Sequence, residues 1–323
     1  MLIVLSMTCL TILGHLKNTG GFIMKQVGII GLGIMGAPMA ANLVKAGFEV
    51  FGYDVSVHAI EKAKASGVTI VDSAQKVGER TQWVITMLPN TSIVEDAIFG
   101  HDGLIHSLPA GSTVIDESSI TPVASRNIGA RLEEKQINFL DAPVSGGEPG
   151  AISGELAIMV GGDEAVFAQA KPIFDAIGGT TTLVGGIGAG TTAKLANQVM
   201  VNLNIAAMSE ALVLAAKSGI DIDKMYQAIR SGLAGSNVLD AKVPLILDRN
   251  FEPGGKISIN MKDLTNVMAT AHDLDVPMPL SSSLLEIFHT LSANGHINED
   301  HGAIVKYFEN LANVTVSRKP GAK

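Results

Sequence analysis

Short apolar runs rich in β-branched residues recur through the first part of the chain, at residues 27–30, 50–53, 68–71, 83–88, 113–115, 137–140, 156–160 and 182–184. Most are separated by segments of helical periodicity or by turn-rich stretches, and this alternation predicts βαβ units around a parallel sheet. Beyond Val184 the alternation stops. Residues 185–190 (Gly-Gly-Ile-Gly-Ala-Gly) lead into an uninterrupted helical pattern over about 191–217, with further helices expected at 221–232, 237–247, 261–274, 281–293 and 302–311. The long helix would run roughly 40 Å at 1.5 Å per residue, enough to span a junction between two domains. Its stripe Leu195, Val199, Leu203 and Ala207, with Met208 and Leu212 behind, is bulky enough to be buried along the whole length. Buried helices of this kind often form subunit interfaces, so a homodimer or homotetramer is expected.

Composition narrows the class. The chain has 323 residues, 47% hydrophobic and 17% charged, so it can bury a large core, and its length favours two domains over one. A formal net charge of −8 without a basic run argues against nucleic acid as a partner. Cys9 is the only cysteine, so no internal disulfide is available and a reduced cytoplasm fits best. The apolar stretch near the start ends at Leu13, lacks a basic segment before it, and is too short to span a bilayer; no second run of spanning length is read further on, and no membrane partner is expected. Residues 1–23 are read as an unstructured extension, with the fold opening after Met24.

Three motifs carry chemistry. Gly31-Leu32-Gly33-Ile34-Met35-Gly36 follows the first strand and opens a helix, the context in which glycines permit a tight turn, close approach of a pyrophosphate, and close helix packing. Asp54, at the end of the second strand, can accept from both ribose hydroxyls of NAD and would repel a 2′-phosphate; NAD is therefore the expected cofactor, with NADP possible if Lys62 or Lys64 compensates. The loop at 141–151 (Asp-Ala-Pro-Val-Ser-Gly-Gly-Glu-Pro-Gly-Ala) offers successive backbone N–H groups beside the Ser145 hydroxyl, a nest suited to a carboxylate or else an ordinary loop. At the start of the long helix, Lys194, Asn197 and Gln198 share a face at i, i+3 and i+4. A lysine there can serve as acid or base if desolvated, although surface lysines are commoner. His296, Glu299, Asp300 and His301 could suggest a metal site, but the segment is short and polar and reads as a solvated turn; no metal is expected. Arg249 reads as a surface ion-pair partner.

The sequence at 31–43 (Gly-Leu-Gly-Ile-Met-Gly-Ala-Pro-Met-Ala-Ala-Asn-Leu), the 141–151 loop and the 188–197 segment, in that order, resemble the β-hydroxyacid dehydrogenase family over about residues 24–315. The resemblance implies an α/β Rossmann-type N-terminal domain (24–187) and an all-α substrate and dimerisation domain (188–318), joined by the long interdomain helix, with a tail at 319–323. It implies that Lys194 is the acid/base, that Ser145, Gly146 and Gly147 hold a substrate carboxylate, and that Leu88, Pro89, Asn90 and Ser119 contact NAD while Lys262 approaches its nicotinamide end. Many relatives have Asn four residues after the lysine, where this chain has Gln198 preceded by Asn197, so which amide orients the substrate stays open. The expected substrate is a short carboxylate-bearing aldehyde or hydroxy acid, tartronate semialdehyde giving D-glycerate, with Leu233, Asn237 and Asp240 lining the pocket. Oxidation of 3-hydroxyisobutyrate or L-threonate, imine reduction on the same scaffold, and an NAD-sensing module without turnover are the alternatives.

Overall fold

A computed structural model describes residues 26–318; the extension expected at 1–23 and the tail at 319–323 lie outside the described residues. The first half alternates strand and helix: β1 (Gln26–Ile30), α1 (Gly36–Lys45), β2 (Glu49–Tyr53), α2 (Val57–Ala65), β3 (Thr69–Ile70), α3 (Ala74–Gly78), β4 (Trp83–Thr86), α4 (Thr91–Phe99), β5 (Thr113–Asp116), α5 (Pro122–Glu133) and β6 (Asn138–Asp141). It closes with β7 (Val144–Ser145), α6 (Gly147–Ser153), β8 (Leu156–Gly161), α7 (Glu164–Ile177) and β9 (Gly178–Gly185). Among the described residues only helices follow: α8 (Ala189–Lys217), α9 (Ile222–Ile229), α10 (Asn237–Leu247), α11 (Ile257–Asp273), α12 (Pro279–Ala293) and α13 (Val305–Ala312).

The strands of the described residues form one sheet in the order β3-β2-β1-β4-β5-β6-β8-β7, with β9 also paired to β8. Alternate residues go to opposite faces: Val27 and Ile29 pack with Met39, Leu43 and Phe174, while Ile30, Val84 and Val114 pack with Val94, Ile98 and Ile128. The register aligns the C-terminal ends of five strands, Ile30 with Tyr53 and Thr86, Thr86 with Asp116, and Asp116 with Asp141. The loops carrying the sequence motifs therefore leave the sheet along one edge.

The sheet is not wholly parallel, as the alternation had suggested. β8 runs antiparallel to β6 and β7. The two residues of β7 lie inside the stretch read as a loop; Val144 is buried opposite Ile158, so pairing there also completes the core. The second correction concerns α8. Of the residues expected inside, Leu195, Met208 and Leu212 are buried, whereas Val199 and Leu203 are half-buried and Ala207 is exposed; Gln198, Asn202, Ile205 and Ser209 are buried as well. The apolar pattern pointed in part to a neighbouring stripe because three polar positions go inside. Asn202 and Ser209 can do so because each donates to a carbonyl one turn back, Asn202 Nδ2 to Gln198 O (2.9 Å) and Ser209 Oγ to Ile205 O (2.7 Å). Nor is the helix buried along its whole length: Met200 and Leu214 are 67% and 70% exposed. By length and composition α8 passes as a membrane span, contrary to the sequence reading, but here it packs on β8 at one end and on α10, α11, α12 and α13 along its course. Ile205, Leu212, Val243, Ile246, Leu264, Phe288 and Val305 form the core of this helical half.

Candidate active site

The glycine turn sits between β1 and α1. Gly31 has φ +95°, and a Cβ there would lie 2.2 Å from Met87 O. At Gly36 a Cβ would lie 1.9 Å from Gly31 O, so the helix can start this close to the strand only with glycine. Gly33 differs: a Cβ would meet nothing within 4 Å, and Gly33 and Ile34 are exposed. The protein itself does not need glycine there; an approaching ligand would. No side chain caps the N-terminus of α1, whereas α2, α4 and α5 are capped by Ser56, Asn90 and Thr121. Ala37 N–H donates to Gly33 O (3.0 Å) and Pro38 has no N–H, so the Gly36 N–H at the helix start is the first-turn donor that can face an anion. Asp54 is held at the adjacent strand end by Leu32 N–H donating to Oδ2 (2.6 Å) and Ser56 N–H donating to Oδ1 (2.7 Å), and each oxygen keeps a second lone pair for a hydroxyl. Half-buried Met35 completes the turn. Together these features fit a dinucleotide.

The start of α8 is anchored by a residue from far away in sequence. Asp141, at the end of β6, accepts from Gly188 N (2.7 Å), Thr191 N (2.7 Å) and Thr191 Oγ1 (2.9 Å), and Thr191 Oγ1 also meets Ser125 Oγ of α5 at 2.8 Å. Burial pushes the Asp141 carboxyl up, and the hydrogen bonds from Thr191 and Gly188 work against that shift. One turn further on, Lys194 is buried, and Nζ donates to Gln198 Oε1 at 3.2 Å. Burial lowers the Lys194 pKa below the usual lysine value; the nearby Asp263 charge opposes this and Lys262 adds to it. Asn197 Nδ2 reaches Ser145 Oγ at 3.4 Å and Gln198 Oε1 at 3.0 Å. The Gln198 amide is turned away from Ser145: its Nε2 donates to Asp263 Oδ2 at 2.6 Å and lies 3.5 Å from Asn260 Oδ1. The carboxylate fixes which way round this amide sits, NH₂ toward α11 and carbonyl toward Lys194.

Lys262 joins the two halves. Its Nζ donates to Pro89 O (3.2 Å) and Ser119 O (3.0 Å), in the loops after β4 and β5. Nearby, Leu88 N–H donates to Ser118 Oγ at 2.9 Å, and Asn90 caps α4 through Ile93 N–H at 3.1 Å. Gly146 and Gly147 are exposed beside half-buried Ser145. The structure thus groups Ser145, Lys194, Asn197 and Gln198, and links Lys262 to Pro89 and Ser119.

It does not bring in the other expected lining residues. Leu233 is fully exposed; Asn237 and Asp240 face outward because α10 turns Leu239, Val243, Ile246 and Leu247 into the helical core. Asp240 accepts from Tyr226 Oη (2.7 Å) and pairs with Arg230 (3.1 Å). Sequence reading missed Asn260 and Asp263 as neighbours of Gln198. Both are buried, and both fall in the helical stripe of Ile257, Leu264 and Val267, where a polar residue signals a buried partner. The segment around Asp300 is not a solvated turn: Asp300 is buried and ion-paired to Lys242, while Glu299 pairs with Lys306. Among the described residues no cluster of three or more His, Cys, Asp or Glu side chains is placed to hold a metal. Arg249 pairs with Glu309 within the chain, at 2.5 Å.

Residues 26–186 match the family model of the NAD binding domain of 6-phosphogluconate dehydrogenase, and residues 188–308 match the model described as NAD-binding of NADP-dependent 3-hydroxyisobutyrate dehydrogenase. The 2-hydroxy-3-oxopropionate reductase of Escherichia coli (strain K12) is 42% identical over 288 residues, covering 89% of this chain and 98% of that protein. The chain belongs to the β-hydroxyacid dehydrogenase family. It is an NAD(P)-dependent oxidoreductase of that family, with an N-terminal Rossmann-type sheet and a helical C-terminal part. An L-threonate dehydrogenase of Cupriavidus necator is 34% identical, covering 89% of this chain and 97% of its own. A solved 3-hydroxyisobutyrate dehydrogenase from Mycobacterium tuberculosis, studied with L-serine, superposes with a TM-score of 0.81 at 33% identity, covering 88% of this chain and 99% of that one.

Proposed function

We propose that this enzyme reduces tartronate semialdehyde (2-hydroxy-3-oxopropionate) to D-glycerate with NADH. The observation that carries the reading is the buried Lys194 amine on the same helical face as Asn197, which meets Ser145 at the glycine-rich turn. Ser145 Oγ with the Gly146 and Gly147 amides binds the substrate carboxylate. Asn197, the amide on the Ser145 side, orients the carbonyl, while Gln198 holds Lys194 from behind. The bound nicotinamide supplies the hydride. As negative charge grows on the carbonyl oxygen, the Lys194 ammonium donates a proton to it from Nζ; in the opposite direction neutral Lys194 takes the hydroxyl proton. The 31–36 turn and Asp54 hold the dinucleotide, with Leu88, Pro89, Asn90, Ser119 and Lys262 at its other end. Asp54 disfavours a 2′-phosphate, hence NADH over NADPH. The greater similarity to the 2-hydroxy-3-oxopropionate reductase than to the threonate enzyme supports the choice of substrate.

The test is the rate of NADH and NADPH oxidation with tartronate, methylmalonate and succinic semialdehydes. NADH with tartronate semialdehyde should have the highest kcat/KM. A higher value for another pair reassigns the substrate or the cofactor, and turnover with none overturns the reading.

A further inference from the structure

The segment around Asp300 forms an internal brace. Asp300 is 2% exposed. Its Oδ1 accepts from Lys242 Nζ (2.9 Å) and Gly302 N (2.9 Å), and its Oδ2 from Lys242 Nζ (2.9 Å), Gly254 N (3.1 Å) and Gly255 N (3.0 Å). The backbone adds to the clamp, with Asp300 N–H donating to Phe251 O (3.0 Å) and His301 N–H to Gly255 O (2.8 Å). What is clamped is the irregular segment 251–255 (Phe-Glu-Pro-Gly-Gly), exposed from Glu252 to Gly254. A paired glycine segment samples many conformations when free, and here the charge-assisted bonds to this carboxylate join the backbone bonds at Phe251 and Gly255 in fixing its shape. On its other side the segment lies beside the Gly146–Gly147 turn: Gly254 O stands 3.9 Å from where a Cβ on Gly147 would lie. The same segment leads directly into α11, which bears Asn260, Lys262 and Asp263.

We propose that Asp300, clamped by Lys242, is a positioning residue for the substrate carboxylate, holding segment 251–255 against the Gly146–Gly147 turn and so setting the shape of the carboxylate site without touching substrate. This rests on the use of that turn proposed above. Asp300→Asn keeps the size but replaces an oxygen by an NH₂ group that faces N–H donors, while Lys242→Met keeps an apolar stem and leaves the backbone bonds in place.

Both variants should raise the KM for tartronate semialdehyde about tenfold while kcat and the KM for NADH stay within twofold. Binding of tartronate, an unreactive dicarboxylate, to the NAD-loaded enzyme should weaken by a similar factor in calorimetry. Amide hydrogen exchange over 252–256 should quicken. Should Asp300→Asn fail to fold, Lys242→Met alone decides. Variants that exchange faster yet bind tartronate as tightly as wild type overturn the brace, as does a fall in kcat with KM unchanged. A wild-type enzyme that neither turns over the aldehyde nor binds tartronate overturns the proposed function first, and the brace with it.

Discussion

From Gly31 to Gly36 the chain builds a ligand turn out of consecutive residues, its shape set by backbone contacts such as Gly31 N–H to Tyr53 O (2.9 Å) and by the room that glycine leaves. Around Lys194 the arrangement is the reverse. Ser145 comes from β7, Asn197 and Gln198 from α8, Asp263 from α11, and the helix carrying the amine is pinned by Asp141 of β6. Contiguous backbone suffices to receive a diphosphate, whose charge needs only N–H groups and a helix end. The proposed acid/base amine has its pKa lowered by burial, and that burial is built by groups drawn from several segments.

The sharpest test of this contrast is Lys194→Ala, which should lower kcat roughly 10²–10⁴-fold, the usual share of a general acid, and leave NADH affinity within twofold by fluorescence titration. Normal turnover would remove the amine from the chemistry. Next in size is a paired substitution in the glycine turn. Gly36→Ala forces backbone apart and should cost about 1–3 kcal/mol or more, read as a fall in Tm, while Gly33→Ala should leave Tm unchanged and weaken NADH binding. Equal melting shifts at both positions would show that the turn is purely structural.

The pH dependence addresses the amine directly. In the proposed mechanism reduction uses the ammonium, so kcat for reduction should be flat at low pH and fall about tenfold per unit once pH passes the Lys194 pKa, with the break below 10.5; oxidation should rise over the same window. Asp263 and Lys262 are the charges acting on it, and Asp263→Asn, which removes the one raising the pKa, should move the break to lower pH. The smallest effect is expected at Glu117, buried at the end of β5 with neither carboxylate oxygen bonded. Burial, then the Asp116 charge, raises its pKa well above 4.5. Folding therefore favours the protonated acid, and its contribution is present below pH 4.5 and lost as pH climbs through the folded-state value. Glu117→Met should raise Tm by a few degrees at pH 8 and by less at pH 5, measured by calorimetry. Equal gains at both values would mean that packing, not ionisation, is responsible.

Much of this was legible beforehand. The β-branched runs placed β1, β2, β4, β5, β6 and β8, and the pattern at 237–247 matched α10 to the residue. The two-residue β7 was not legible, because so short a run has no period of its own. The buried face of α8 was legible at Leu195, Met208 and Leu212 but not at Gln198, Asn202 and Ser209, which look solvent-facing until their partners are known. For the same reason Asp300 read as part of a solvated turn: Lys242, which neutralises it, lies far back in the sequence on α10.

Hydrophobic periods and glycine spacing sufficed for the alternating strands and helices, the turn at 31–36 and the placing of Lys194 one turn into a helix, because backbone conformation is governed mostly by near neighbours along the chain. The tertiary structure alone decided that Lys194 is buried, that Asn197 rather than Gln198 faces Ser145, that Leu233 and Asp240 point outward, and that Asp300 braces a loop. Those outcomes depend on which donors, acceptors and apolar surfaces arrive from remote segments, and only folding brings them together.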